Sequence, residues 1–148
     1  MNPTERFKEL LTELAGVLGV DALPLSESDT CTLVIDNNLP VNLAIDAQGL
    51  DLTLFAPLGI IPEQRRAELF RQLLRANGAG TSPYTLGLAR QADVAILSTR
   101  QPLALANAPG LAESLAAFID IALRWRATLE APATDTAAPA APGNWLQA

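Results

Sequence analysis

The apolar periodicity of this chain switches four times between a helical step and strict alternation, and that order limits the fold more than any other feature. Phe7, Leu10, Leu11, Leu14, Val17 and Leu18 recur at three- and four-residue steps, which paints one face of a helix. Asn2 is placed to cap that helix, with Pro3 at the first helical position and Glu5 reaching back. Gly16 or Gly19 would supply the left-handed residue that ends it. After a polar turn at Ser26 to Asp29 the step becomes two. Cys31, Leu33 and Ile35 alternate with Thr30, Thr32, Val34 and Asp36, and Asn37-Asn38 breaks the run. Val41, Leu43 and Ile45 alternate with Asn42, Ala44 and Asp46; Gln48-Gly49 turns the chain; Leu50, Leu52 and Leu54 then alternate with Asp51, Thr53 and Phe55. Three such runs joined by short turns predict an antiparallel meander.

Pro57, Gly59 and Pro62 are expected to stop the sheet, with Pro62 opening a second helix whose stripe is Leu69, Phe70, Leu73 and Leu74. Asn77-Gly78 closes it. A loop through Gly80, Ser82 and Pro83 leads to a hairpin of two short strands, Tyr84 to Ala89 and Val94 to Thr99, around the turn Arg90 to Asp93. Asn107 caps a last helix with the stripe Leu111, Leu115, Phe118, Ile119, Ala122, Leu123 and Leu129, running to about Glu130. The predicted class is α+β, in the order helix, three strands, helix, two strands, helix, with an antiparallel sheet packed with helices. Residues 1–130 are read as one domain. From Ala131 the chain is mostly Ala, Pro, Thr and Gly, a composition that buries too little to offset its ordering entropy, so 131–148 is expected to be a disordered tail. Trp145-Leu146 is its one apolar spot, a docking handle or an accident of composition.

Composition narrows function. Of 148 residues about half are apolar but only 5% aromatic, so Leu, Ile, Val and Ala must build the core. A formal charge of -6 argues against a grip on nucleic acid or on an acidic membrane surface. No apolar run approaches the roughly 20 residues of a membrane helix, and the N-terminus lacks the pattern of a signal peptide. The expected compartment is the cytoplasm. There is no histidine to act as proton shuttle or metal ligand, and the lone Cys31, set in an apolar alternation, reads as a small buried hydrophobe without a partner for an intramolecular disulfide. Asp36, Asp46 and Asp51 lie near strand ends, where they could converge on a hard cation or act as acid and base, but short carboxylates favour such places because they bond the local backbone. Gly78-Ala79-Gly80 follows a helix instead of opening one, so it is no phosphate cradle. Arg65, Arg66, Arg71 and Arg75 mix with Glu63, Glu68 and Gln72, as on a solvated face or the rim of a partner surface. No cofactor, metal or catalytic set is expected. What the residues offer is apolar surface: Val34 and Phe55 each fall on the polar side of their own alternation.

Three stretches, Leu73-Leu74-Arg75-Ala76-Asn77, Tyr84-Thr85-Leu86-Gly87-Leu88, and Leu97-Ser98 with Pro102-Leu103, followed by Phe118, Ala122 and Trp125, carry a likeness. In that order the chain, over about residues 3 to 130, resembles the class I type III secretion chaperones of the CesT/Tir family, small acidic bacterial cytosolic proteins. The resemblance implies a secretion-chaperone-like α+β sandwich that forms a homodimer, uses no ATP, and wraps the N-terminal segment of a secreted effector protein, keeping it soluble and recognisable to components of the secretion apparatus. Carried onto this chain, it implies effector contacts at Phe7, Leu11, Leu33, Val34, Ile35, Leu43, Ile45 and Phe55, some of which must be ordinary core. It implies dimer contacts at Leu69, Phe70, Leu73 and Leu86. The alternatives are a small α+β ligand-binding or regulatory domain, and an enzyme working through carboxylates alone.

Overall fold

The computed structural model describes residues 2–78 and 82–132, so the expected tail lies outside the described residues from 133 onward. Helix α1 spans Pro3–Leu18; Asn2 Oδ1 accepts the Glu5 N–H at 2.8 Å while Glu5 reaches back to Asn2 N–H, the reciprocal cap that satisfies two otherwise free donors. Of the two candidate glycines Gly19 ends the helix, with φ of 73°. Strands β1 (Cys31–Ile35), β2 (Leu39–Ile45) and β3 (Asp51–Ile60) form the predicted meander. Asp36 and Asn37, both at positive φ, turn β1 into β2, and the Asn38 N–H closes the turn on the Ile35 C=O at 3.1 Å. Gly49 turns β2 into β3 at φ of 71°, packed so tightly that an added Cβ would collide with the Pro3 ring.

A single 3-10 turn, Glu63–Arg65, precedes helix α2 (Arg66–Gly78). The hairpin of β4 (Tyr84–Leu88) and β5 (Val94–Pro102) follows, and α3 (Ala108–Glu130) closes the fold behind an Asn107 cap whose Oδ1 accepts the Gly110 N–H at 2.8 Å. All five strands join one antiparallel sheet in the order β1-β2-β3-β5-β4.

Two expectations need correction. Pro57 and Gly59 do not stop the sheet: β3 continues to Ile60, and β5 runs on to Pro102 to pair with Asp51. The alternation explains the tolerance. Asp46 N–H bonds Asp51 C=O at 3.1 Å, so Asp51, Thr53, Phe55 and Pro57 aim their backbone groups at β2, and the N–H that Pro57 lacks is not one β5 needs. Gly59, at φ of 138°, then shifts the register in a bulge. The second helix also starts later than Pro62, because the chain passes first through the 3-10 turn.

The core lies on one face of the sheet. Phe7, Leu10 and Leu14 of α1 and Leu111, Phe118 and Ala122 of α3 meet Leu43, Leu52, Leu54 and Leu97 of the strands, all essentially inaccessible. Each such Leu or Phe stabilises the fold by about 1.5–3 kcal/mol through burial. Arg65, only 7% exposed, is the one buried charged residue among those described. Its guanidinium donates to the Thr128 and Ala131 carbonyls at 2.7 and 2.6 Å, capping the end of α3, and forks onto Glu68 at 3.2 and 3.4 Å. Near the other end of α3, Arg6 donates to the C=O of Ala106, the residue before the Asn107 cap, at 2.9 Å, which ties α1 to the loop that leads into that helix.

Candidate partner-binding surfaces

The two faces of the sheet are unlike. Alternation sends Leu33, Leu43, Leu54 and Leu97 toward the helices and Val34, Pro40, Phe55, Pro57 and Ile96 away from them. None of these outer residues is buried, and Val34 is 61% exposed. Register makes a row of them. Val34 faces Pro40 across β1–β2, Pro57 faces Ile96 across β3–β5, and Phe55 sits beside them opposite Asn42 and Ser98. The β2–β3 ladder ends at Asn42–Phe55, because the next hydrogen-bonded position would bring Pro40 against Pro57 and neither has an N–H. An outer face of an antiparallel sheet is ordinarily polar; this one carries an aliphatic and aromatic stripe running to the exposed Ile60.

A second apolar surface lies between α2 and β4. Leu69 and Leu73 point into the core, but one step around the helix Phe70 is only half-buried at its margin and Leu74 points outward, 71% exposed. Together with Leu86, Gly87 and the 42% exposed Leu88 they line an open depression of about 220 Å³. The predicted stripe is thus two stripes, and Leu74 belongs to the outer one.

The residues to which the resemblance assigns effector contact divide three ways. Phe7, Leu11 and Leu43 are buried in the core; Leu33, Ile35 and Ile45 are half-buried on the helix-covered face near the β1 edge; Val34 and Phe55 stand on the bare face. Of the residues it assigns to the dimer, Leu73 and Leu86, both buried, and the half-buried Phe70 line the α2–β4 depression, whereas Leu69 is sealed in the core. Neither the alternation nor the resemblance assigns partner contact to Pro40, Pro57, Ile96, Leu74 or Leu88, although strand parity reaches Ile96 and helical spacing already places Leu74 in the α2 stripe.

The chemistry-bearing side chains serve structure. Cys31 is buried, and burial pushes its thiol pKa up, away from the reactive thiolate. Asp46 accepts the Leu50 N–H at 2.8 Å within its turn, and Asp36 occupies the β1–β2 turn. Among the described residues no cluster of three or more His, Cys, Asp or Glu is placed to hold a metal ion, and no helix is long and apolar enough to cross a membrane.

Against this geometry the comparisons with known proteins are specific. No curated protein matches the chain. A chain of the ExsC–ExsE complex is similar over 90% of this chain and 100% of its own length, with 26% identity and a TM-score of 0.77. A chain of the HopA1–SchA chaperone–effector complex matches 83% of this chain and 94% of its own, with 22% identity and a TM-score of 0.70. The structure of the Yersinia pestis type III secretion chaperone SycH with a stable fragment of YscM2 matches over 80% and 98%, with 24% identity and a TM-score of 0.64; these last two speak for the fold. The model of the Tir chaperone protein (CesT) family matches residues 9–126, and the chain belongs to that family.

Proposed function

We propose that this chain is a cytoplasmic, non-enzymatic type III secretion chaperone that holds the N-terminal segment of a secreted effector in an extended, non-globular state against its sheet. The observation that carries this is the bare apolar face bordered by the β1 edge, with Val34 61% exposed at the corner where they meet. An extended segment of an effector fits that corner. Its side chains cover the Val34, Pro40, Phe55 and Pro57 stripe, and its backbone pairs with β1, so affinity comes from burial and main-chain bonds without any catalytic group. Folding such a segment fully would remove the very groups that make these contacts, which keeps it soluble and unfolded locally without ATP. The likeness to chains solved in the ExsC–ExsE and HopA1–SchA complexes supports this reading. The α2–β4 depression is assigned to a second copy of the chain, because Leu74 and Leu88 would otherwise leave an apolar patch in water.

The test is to express the full chain in a type III-secreting bacterium together with the secreted protein encoded beside it, and to measure mass and binding of the purified complex. The expected result is a dimer that copurifies with one effector through that effector's N-terminal segment. Val34→Lys with Phe55→Lys should weaken binding by at least tenfold while leaving the circular dichroism spectrum and dimer mass unchanged. A stable monomer that captures no effector would overturn the proposal.

A further inference from the structure

Asn77 ends the first of the stretches on which the family likeness rests, and it lies in the last turn of α2, where asparagine is no favoured helix former. Its side chain is engaged with the neighbouring strand instead. The sheet has two edges, β1 and β4. Ala89 N–H bonds Val94 C=O at 2.9 Å, so by alternation Thr85 and Gly87 also face β5, while Tyr84, Leu86 and Leu88 turn their backbone groups outward. At the centre of that outward row Asn77 Nδ2 donates to the Leu86 C=O at 2.6 Å, and the Leu86 N–H donates to Asn77 Oδ1 at 2.9 Å. A primary amide presents one donor and one acceptor much as a peptide group does, so Asn77 stands where a further strand would pair. Ser82 Oγ accepts the next outward N–H, that of Tyr84, at 3.1 Å.

Among the described residues the β1 edge has no such plug. β2 directs Pro40 and Asn42 at β3, so Cys31, Leu33 and Ile35 exchange bonds with β2, and Thr32 and Val34 face outward. Among the described residues nothing bonds to the Thr32 or Val34 backbone groups on that side. An unpaired strand edge invites another strand, and proteins block the ones they do not use. We propose that Asn77 is a positioning residue that closes the β4 edge, so that the sheet accepts an added strand only at β1 and the α2–β4 face takes only partners that pack side chain on side chain.

The closure is read on the chain without effector, so its failure and a failure of the effector reading are distinguishable. In the wild-type full-length chain, amide exchange followed by NMR should show Leu86 N–H at least tenfold slower than Thr32 and Val34, with one Asn77 Nδ2 proton shifted downfield by its bond. Equal exchange at the three amides would overturn the proposal whatever the variants do. Asn77→Ala removes both bonds, and sedimentation velocity should then show self-association at least tenfold tighter than wild type. Adding Thr85→Lys, an exposed charge in the middle of that edge strand, should reverse it, and Asn77→Gln, which keeps donor and acceptor, should restore much of the protection at Leu86. If folded Asn77→Ala keeps the wild-type sedimentation and Leu86 exchange, or if Thr85→Lys fails to reverse new association, Asn77 does not act as the plug.

Discussion

The same strands show two different surfaces. On the side of α1 and α3, Leu43, Leu52, Leu54 and Leu97 are sealed against Phe7, Leu10 and Phe118; on the other, no described element forms a layer over Val34, Phe55, Pro57 and Ile96. Both sets are apolar and alternate residue by residue along the same chain. What separates them is the number of helices the chain has to spare. With α2 displaced to the β4 edge, the described residues hold no further helix to cover the second sheet face. A two-layer fold usually answers by making the uncovered face polar. Here it stays partly apolar, which makes sense when the missing layer is another molecule.

Replacing one aromatic on each face sharpens the contrast most. Phe118→Ala, on the covered side and packed against the Tyr84 ring at a centroid distance of 6.2 Å, should lower unfolding free energy by about 3–5 kcal/mol. Phe55→Ala on the bare side should lower it by about 1 kcal/mol, yet it should be the one that impairs effector capture. Chemical denaturation of both variants beside a binding titration checks this. Equal losses of stability would mean the bare face is held by something within the chain.

How far this division can be read from the residues depends on how local each cause is. The Asn2–Glu5 cap and the Asn107 cap are settled within a few residues, so both helix starts are visible in advance. Strand parity likewise puts Val34 and Phe55 opposite their neighbours. Parity says only that two faces differ, however, and not which one a helix will cover. Phe7, Leu11 and Leu43 therefore look the same as partner contacts and as core until the packing is known. Pro57 misleads for a related reason: whether a proline ends a strand depends on which neighbour its missing N–H would have served, and that neighbour is set by the order of strands. Leu74 sits beside Leu73 in sequence but 100° around the helix, and only the position of β4 decides which of the two faces inward.

The covered side also relies on polar ties, and these should rank next. Arg65→Ala leaves the Thr128 and Ala131 carbonyls at the end of α3 without their donor, and should cost about 2–3 kcal/mol by thermal or chemical unfolding. Arg65→Lys should recover little, since a single ammonium cannot reach both carbonyls and fork onto Glu68. Gly49→Ala should cost about 1–2 kcal/mol, since it combines a positive φ with a collision against Pro3 that pushes the β2–β3 turn away from the start of α1.

The smallest expected effect is on pH dependence. Glu68 is held below the usual glutamate range chiefly by its hydrogen bond from Arg65, with that guanidinium's charge, Gln72 and Arg71 adding to it against a desolvation penalty. Its pKa is lower in the folded chain than in the unfolded one, so the contribution is present in full above the ordinary glutamate value and disappears as pH falls through the depressed one. The side chain is partly open to solvent, which keeps the effect small. Unfolding midpoints of wild type and Glu68→Gln should therefore differ slightly near neutrality and converge in acid. Because the Thr128 and Ala131 carbonyls still hold Arg65 when Glu68 is protonated, α3 should remain docked there. An acid-induced release of α3 that Glu68→Gln reproduces at neutral pH would shift the weight of the clamp from the carbonyls to the carboxylate.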